Sequence, residues 1–253
     1  MTPRANASVP AVAKAFAVLD LLSAVPEPLG VSEIARRLGL GKSTVHGLVT
    51  ALHELGMLER ANGAKRYRVG RGLQALALRS VSRHDVRSVA RPFLERLAAE
   101  TEQTAFLGIV GTDHVTILDL VHGRPAMSVS APVGSAIPLL AGAVGKAVLA
   151  GWDRERRETF LAKTVLPKFT HRTITERRAY ERAVDGVTKR GAALDVDEYV
   201  DGMRAAAAPV VAPSGELAAV IWVAGFARHI GDAQLNAIAD HVSHEARGLG
   251  KLL

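Results

Sequence analysis

Twenty residues, VSEIARRLGLGKSTVHGLVT (31–50), restrict this chain more than any other stretch. They hold two short helical patterns joined by a glycine. Ser32 stands where it caps the first pattern, and Ile34, Ala35 and Leu38 face inward. The second carries Val45, Leu48, Val49, Leu52 and Leu55 at i, i+3, i+4, i+7 and i+10. A small residue at the crossing (Ala35), a glycine at the turn (Gly39) and an apolar residue that seats the second helix on the first (Val45) are the demands of a helix-turn-helix. Reading Gly41-Lys42-Ser43 as the end of a phosphate loop fails twice. G-x-x-x-x-G-K-[ST] needs glycine at position 36, where Arg36 stands, and it must leave a buried strand, whereas VSEIARRL has helical spacing.

The flanks extend the motif. In AVAKAFAVLDLLSA (11–24), Val12, Phe16, Leu19 and Leu22 form one helical stripe, and PEPLG (26–30) ends it. MLER and KRYRVG bracket ANGA, which predicts a β-hairpin with Asn62-Gly63 in the turn. The result is a winged helix-turn-helix with its wing at 57–69. A plain three-helix bundle would show mixed charge on the outer face of its third helix. Here Lys42, Ser43, Thr44, His46 and Thr50 project outward, with no acid before Glu54. Such donors reach base edges and phosphates. Ser32 is assigned to the same DNA-binding set, as are Lys65, Arg66 and Arg68 of the wing. Alternation puts Arg66 and Arg68 on one face, Tyr67 and Val69 on the other. Charge agrees: of the net +7, residues 1–80 hold 11 Lys/Arg against 5 Asp/Glu, and residues 81–253 hold 21 against 20. The basic end is the one that meets a polyanion, double-stranded DNA.

Residues 72–100 are helical with a break near Ser80 to Asp85. Beyond it, AFLGIV, VTILDLV and AMSVSAPV predict strands, LLAGAVGKAVLAGW, RERRETFLAK and TERRAYERAVDGVTKRG helices, AAAAPVVAP and GELAAVIWVAGF strands, and DAQLNAIADHVSHEARGLGKLL a closing amphipathic helix. Strands interrupted by helices without strict alternation predict an α+β domain on a mostly antiparallel sheet. The fold class is therefore mixed: a winged helix-turn-helix (1–71), a linker helix (72–85) and an α+β small-ligand domain (86–253).

With no cysteine, disulfides, thiolate metal sites and cysteine nucleophiles are all excluded. No apolar run reaches the ~18 residues of a membrane span, and the N-terminus has no continuous apolar segment before Lys14, so a cytoplasmic protein is expected. His241 and His244 precede Glu245, but no HExxH and no third ligand can be named. Asp195, Asp197 and Glu198 cluster without an obvious nucleophile or acid partner. No catalytic residue, metal or cofactor is expected. Two rival classes stand beside a ligand-responsive regulator: an architectural DNA-binding protein without a ligand, and a small-molecule enzyme using a C-terminal pocket.

Over nearly its whole length the chain resembles the isocitrate-lyase-regulator (IclR) family of bacterial transcription regulators. The first domain matches in VAKAFAVLDLLS, VSEIARRLGLGKSTVHGLVTALHELGMLER and KRYRVGRGL, the second in SAPVGSAIPLLAGAVGKAVLA and LDVDEYVDGMRAAAAPVVAPSGELAAVIWVAG. The resemblance implies dimers formed through the DNA-binding part, often tetramers through the effector domains, and a small organic acid as effector. Carried over residue by residue, it implies an effector site of Val129, Ile137, Ala143, Val144, Asp195, Met203, Ala205, Trp222 and Ala224.

The peptide N–H groups at a helix start favour an anion, and Ala143, Val144 and Gly145 are too small to screen them. The same small residues also suit a tight helix crossing. Many relatives carry serine where Trp222 and Ala224 stand. If that face lines the pocket, an indole replaces hydroxyl donors and the ligand is a larger, aromatic acid; the alternative is that Trp222 fills core volume. Relatives often place arginine where Gly47 stands. Effector binding is expected to alter operator affinity through residues 72–90, by ~1–3 kcal/mol of coupling.

Overall fold

The computed structural model describes residues 9–61, 65–80, 86–123 and 128–253. The chain divides into two compact units, Met1–Arg83 and His84–Leu253.

In the first unit α1 (Pro10–Ser23) is followed by β1 (Leu29–Gly30), α2 (Val31–Leu38), α3 (Lys42–Glu54), β2 (Leu58–Arg60), β3 (Arg66–Val69) and α4 (Arg71–Ser80). Val18, Leu22, Ile34, Ala35, Val45, Val49 and Leu52 of the three helices meet Leu29, Leu58 and Tyr67 of the sheet in one core. Gly39 ends α2 at φ 65°, and the Leu40 N–H closes back on the Ala35 carbonyl at 3.0 Å. An L-residue at that φ is strained, so the glycine is what lets the chain turn directly into α3.

Four details depart from expectation. On α1 the core side is Val18 and Leu22, whereas Val12 and Phe16 are 52% and 65% exposed. Ser32 does not cap α2: Gly30 holds the cap position with no side-chain bond, and Ser32 lies exposed inside the first turn. Leu55 is 69% exposed, because α3 stops at Glu54 and Met57 and Leu58 take over the inward positions. The stretch after PEP is not only a breaker. Leu29 and Gly30 pair with Tyr67 and Arg66, making the hairpin a three-stranded sheet in the order β1-β3-β2. The expected Asn62-Gly63 turn lies outside the described residues.

The second unit runs α5 (Val86–Thr101), β4 (Thr104–Val110), β5 (His114–Val121), β6 (Ala136–Pro138), α6 (Gly142–Ala150), α7 (Arg154–Lys163), α8 (Arg177–Arg190), β7 (Ala193–Val196), β8 (Met203–Val211), β9 (Leu217–Phe226) and α9 (Asp232–Gly250). Its six strands lie in the order β6-β5-β4-β9-β8-β7, every pair antiparallel. Alternation along β9 feeds two cores. Ile221 and Val223 pack with α5 and α9, while Val220, Trp222 and Ala224 pack with α6 and α8. The fold class is the expected one, an α+β unit on an antiparallel sheet. Two strands differ. Of AMSVSAPV, residues 128–133 form no strand (126 and 127 lie outside the described residues); a turn at Gly134 (φ 89°) intervenes and the edge strand is β6. The stretch ALDV, not expected as a strand, is β7 at the other edge.

Candidate functional site

On the first unit, Lys42, Ser43, Thr44 and His46 are exposed over the start of α3 and Thr50 is half-buried, while Val45 and Val49 on the opposite side are sealed in the core. The helix is held from below and presents its polar side outward. Gly47 lies on that outer side, and a side chain there would meet open space. Ser32 and Lys65 are exposed. In β3 Tyr67 is buried and both flanking arginines are exposed, as alternation requires. Both arginines are already oriented. Arg66 Nε donates to the Pro28 carbonyl at 2.8 Å, and Arg68 Nε donates to Glu59 Oε1 at 2.7 Å. The Arg68–Glu59 pair lies on the surface, where ion pairs contribute little and exchange partners readily. Sequence periodicity missed Glu59 as a wing partner because it predicts faces, not cross-strand pairs.

On the second unit, the residues implied for the effector site lie on, or pack against, one face of the sheet. Register makes the arrangement concrete. Asp195 pairs with Ala205, Ala205 with Ala224, and Ala224 with Thr104, a row across β7, β8, β9 and β4. The next row on that face runs Ala193, Ala207, Trp222, Phe106. Met203, Ile137 and Val129 are partly buried against the same core, and Ala143 and Val144 are buried in the first turn of α6 above it. The Trp222 indole is 3% exposed and stacks on Phe106, centroids 5.0 Å apart and planes 5° from parallel.

Gly142, Lys146 and Glu198 join this site, with Thr170 and Thr173 behind them, although none stands in the set the resemblance implied. Gly142 opens α6 at φ 45°, and a methyl built on it would lie 1.8 Å from Asp195 Oδ2. Glycine is required there both by the backbone and by the carboxylate. Lys146, a turn further along α6, is buried. Its Nζ donates to Glu198 Oε1 and to the Leu194 carbonyl, each at 2.6 Å. Glu198 follows β7, and its N–H donates to Asp195 Oδ1 at 2.7 Å. Thr170 and Thr173 brace the turn from outside: Thr170 Oγ1 donates to the Asp197 carbonyl at 2.6 Å and Thr173 Oγ1 to the Glu198 carbonyl at 2.7 Å. Asp197 sits at φ 61°. The one sequence signal for Lys146 was its place among small and apolar neighbours in GAVGKAVLA, a helix buried along nearly its whole length.

Burial pushes the Asp195 acid up to about 6, with the Glu198 charge adding to the rise, while the Glu198 and Tyr199 N–H groups and Lys146 oppose it. Because the folded-state value exceeds the ordinary 3.8, Asp195 contributes stability below the unfolded value that is lost as pH rises through about 6. Above that, an ionised buried carboxylate is a burden. Asp195→Asn, which keeps an oxygen for the Glu198 N–H, is expected to be more stable than the parent by about 2 kcal/mol at alkaline pH. The gain should vanish as pH falls below the unfolded value. Urea titrations across that range check it, and an unchanged or negative difference at high pH contradicts it.

Among the described residues no group of His, Asp and Glu is arranged to hold a metal ion. His241 Nδ1 pairs with Glu100 at 2.9 Å and Glu245 with Arg96 at 2.6 Å, so the two residues answer to different partners. No described helix is long and apolar enough to cross a membrane.

The comparisons with known proteins fall on both units in order. The IclR helix-turn-helix domain model matches residues 11–61, and the model of the bacterial transcriptional regulator IclR C-terminal matches 78–250. The HTH-type transcriptional regulator BhcR of Paracoccus denitrificans (strain Pd 1222) is 34% identical over 244 residues, 96% of this chain and 87% of that protein. The crystal structure of an IclR transcriptional regulator from Alicyclobacillus acidocaldarius superposes with a TM-score of 0.80 at 26% identity, covering 96% of this chain and 98% of that one. An IclR homologue from Microbacterium hydrocarbonoxydans, crystallised with 4-hydroxybenzoate, has a TM-score of 0.79 at 23% identity, covering 96% of this chain and all of that one (100%). A family of regulators accounts for a helix-turn-helix whose second helix carries no acid in its first turn. The chain belongs to the IclR family of DNA-binding, ligand-responsive bacterial transcriptional regulators.

Proposed function

We propose that residues 1–71 bind operator DNA, that 72–85 link them to the sensor, and that 86–253 bind a small aromatic carboxylate which alters operator affinity. The protein acts in the cytoplasm as a homodimer or homotetramer, since one small reading module has too short a footprint for specificity and two half-sites supply it. The observation that carries the DNA reading is the start of α3, where Lys42, Ser43, Thr44 and His46 stand exposed and the first turn holds no acid. In this reading Lys42 and the wing residues Lys65, Arg66 and Arg68 meet phosphates, Ser32 contacts the backbone, and Ser43, Thr44, His46 and Thr50 approach base edges. The effector reading is supported by the shared sheet face of Val129, Ile137, Ala143, Val144, Asp195, Met203, Ala205, Trp222 and Ala224, and by the 4-hydroxybenzoate held by the Microbacterium homologue.

Footprinting on the DNA flanking the protein's own coding region, with and without 4-hydroxybenzoate, tests both halves. Lys42→Ala is expected to weaken all duplexes alike and to flatten the salt dependence by roughly one counterion. Thr44→Ala should instead relax base preference at one position by ~1–3 kcal/mol. Equal loss on every sequence from both substitutions contradicts the division of labour. No duplex binding at low salt contradicts the DNA reading itself.

A further inference from the structure

The buried polar cluster under the first turn of α6 carries one cation and two carboxylates. Lys146 is committed to Glu198 and to the Leu194 carbonyl. Asp195 Oδ1 is held by the Glu198 N–H, and Oδ2 lies against Gly142, in the space a methyl group there would occupy. The charged and polar groups acting on Asp195 are Lys146 from α6 and Glu198 with the Tyr199 backbone from the turn after β7, and Tyr180 of α8 lies within reach of the Glu198 charge. Across β8 the neighbours of Asp195 on the same face are Met203 and Ala205, which do not titrate, and Arg204 turns to the other side, where it meets Asp232 at 2.6 Å. The Tyr180 hydroxyl is buried and has no hydrogen-bond partner among the described residues, so the cluster holds a polar atom still to be satisfied.

A ligand carboxylate placed on the Ala143 and Val144 N–H groups enters this cluster as a third anion beside Asp195 Oδ2. Among the described residues Lys146 is the buried cation there, and it is already committed to Glu198. Two carboxylates in hydrogen-bond contact within a buried site do not both stay ionised; they share a proton. We propose that Asp195 meets the effector's carboxylate as a neutral acid, donating its proton to the bound anion, so that each effector takes up one proton from solvent as it binds. The inference rests on the effector reading above and adds a chemical rule to it. The site selects ligands that present an anionic acceptor, and it holds them more tightly as pH falls. The raised pKa of Asp195, caused first by burial, works in the same direction.

The test is calorimetry of the full chain with 4-hydroxybenzoate at about pH 7.5 in two buffers of different ionisation enthalpy, which yields the proton count directly. The expected count is close to one proton taken up per site, and affinity should weaken about tenfold per pH unit above neutrality. Asp195→Asn should bind with no proton uptake and with a flat pH profile. Binding by the parent protein without proton uptake overturns the proposal and leaves the effector reading standing. The absence of any heat or thermal shift with 4-hydroxybenzoate, pyruvate and glyoxylate overturns both.

Discussion

Lys146→Ala is expected to cost the C-terminal unit about 3–5 kcal/mol, the usual penalty for removing one partner of a buried ion pair. The lysine's side chain is 5% exposed, and Glu198, its partner at 2.6 Å, is 14% exposed. Truncation leaves Glu198 and Asp195 close together without the Lys146 ammonium, and the Leu194 carbonyl loses its donor. The contact is not worth that much in itself. What costs is the uncompensated charge left behind. Two consequences separate this account from simple loss of packing. Lys146→Ala with Glu198→Gln should recover a large part of the loss, because the double variant removes charge from both sides. The deficit should also shrink as pH falls towards the range where Asp195 takes up its proton, about 6. Both tryptophans, Trp152 and Trp222, lie in this unit, so tryptophan emission during urea unfolding reports on it alone. A loss under 1 kcal/mol, or one that neither pH nor the second substitution relieves, would sink the explanation.

What the sequence made legible follows from what periodicity can and cannot encode. The stripe through Val45, Val49 and Leu52 reads correctly because one flank of α3 is packed and the other must stay polar. On α1 the pattern misled. Val12 and Phe16 are as apolar as Val18 and Leu22, and spacing alone does not say which apolar flank the chain's own core covers. Short strands escaped for a different reason. Leu29–Gly30 and Ala193–Val196 are too brief to show alternation, and each is a strand only because a partner pairs with it, β3 from far along the chain and β8 from just beyond the next turn. Residues 126–133 show the converse error, an alternating stretch whose described part is not a strand; pairing passes to Ala136–Pro138 beyond Gly134.

The site divides in the same way. Its apolar members came from family resemblance, and the sheet register explains why such scattered positions share a face. Asp195, Ala205 and Ala224 are far apart in sequence yet consecutive across three strands. Gly142 and Lys146 were hidden because their roles are relations. Gly142 matters through a carboxylate some fifty positions on, and Lys146 looks like any solvated lysine until its helix is known to be buried on all sides.

Trp222→Ala is the other substitution of large expected effect, again about 3–5 kcal/mol, because a large aromatic is removed from a filled core. Its ring stacks on Phe106, and Gly108 of the neighbouring strand leaves it room: a methyl there would stand 2.9 Å from Cζ3 and 2.5 Å from Val115. That packing makes the indole a core element, which was one of the two roles open to it. The other, bounding an aromatic ligand, does not compete with the first. Ala224, two residues on, belongs to the row that ends at Asp195, so the next position on the indole's own face of the strand lies in the site's row. Trp222→Phe should restore most of the stability, since it keeps a ring on Phe106. In a Trp152→Phe protein the remaining tryptophan emission isolates the second role. A shift in that emission on adding 4-hydroxybenzoate is expected if the indole borders the ligand. If the ligand binds by calorimetry and the emission does not move, Trp222 serves the core alone, and the preference for an aromatic acid must come from Val129, Ile137 and Met203 instead.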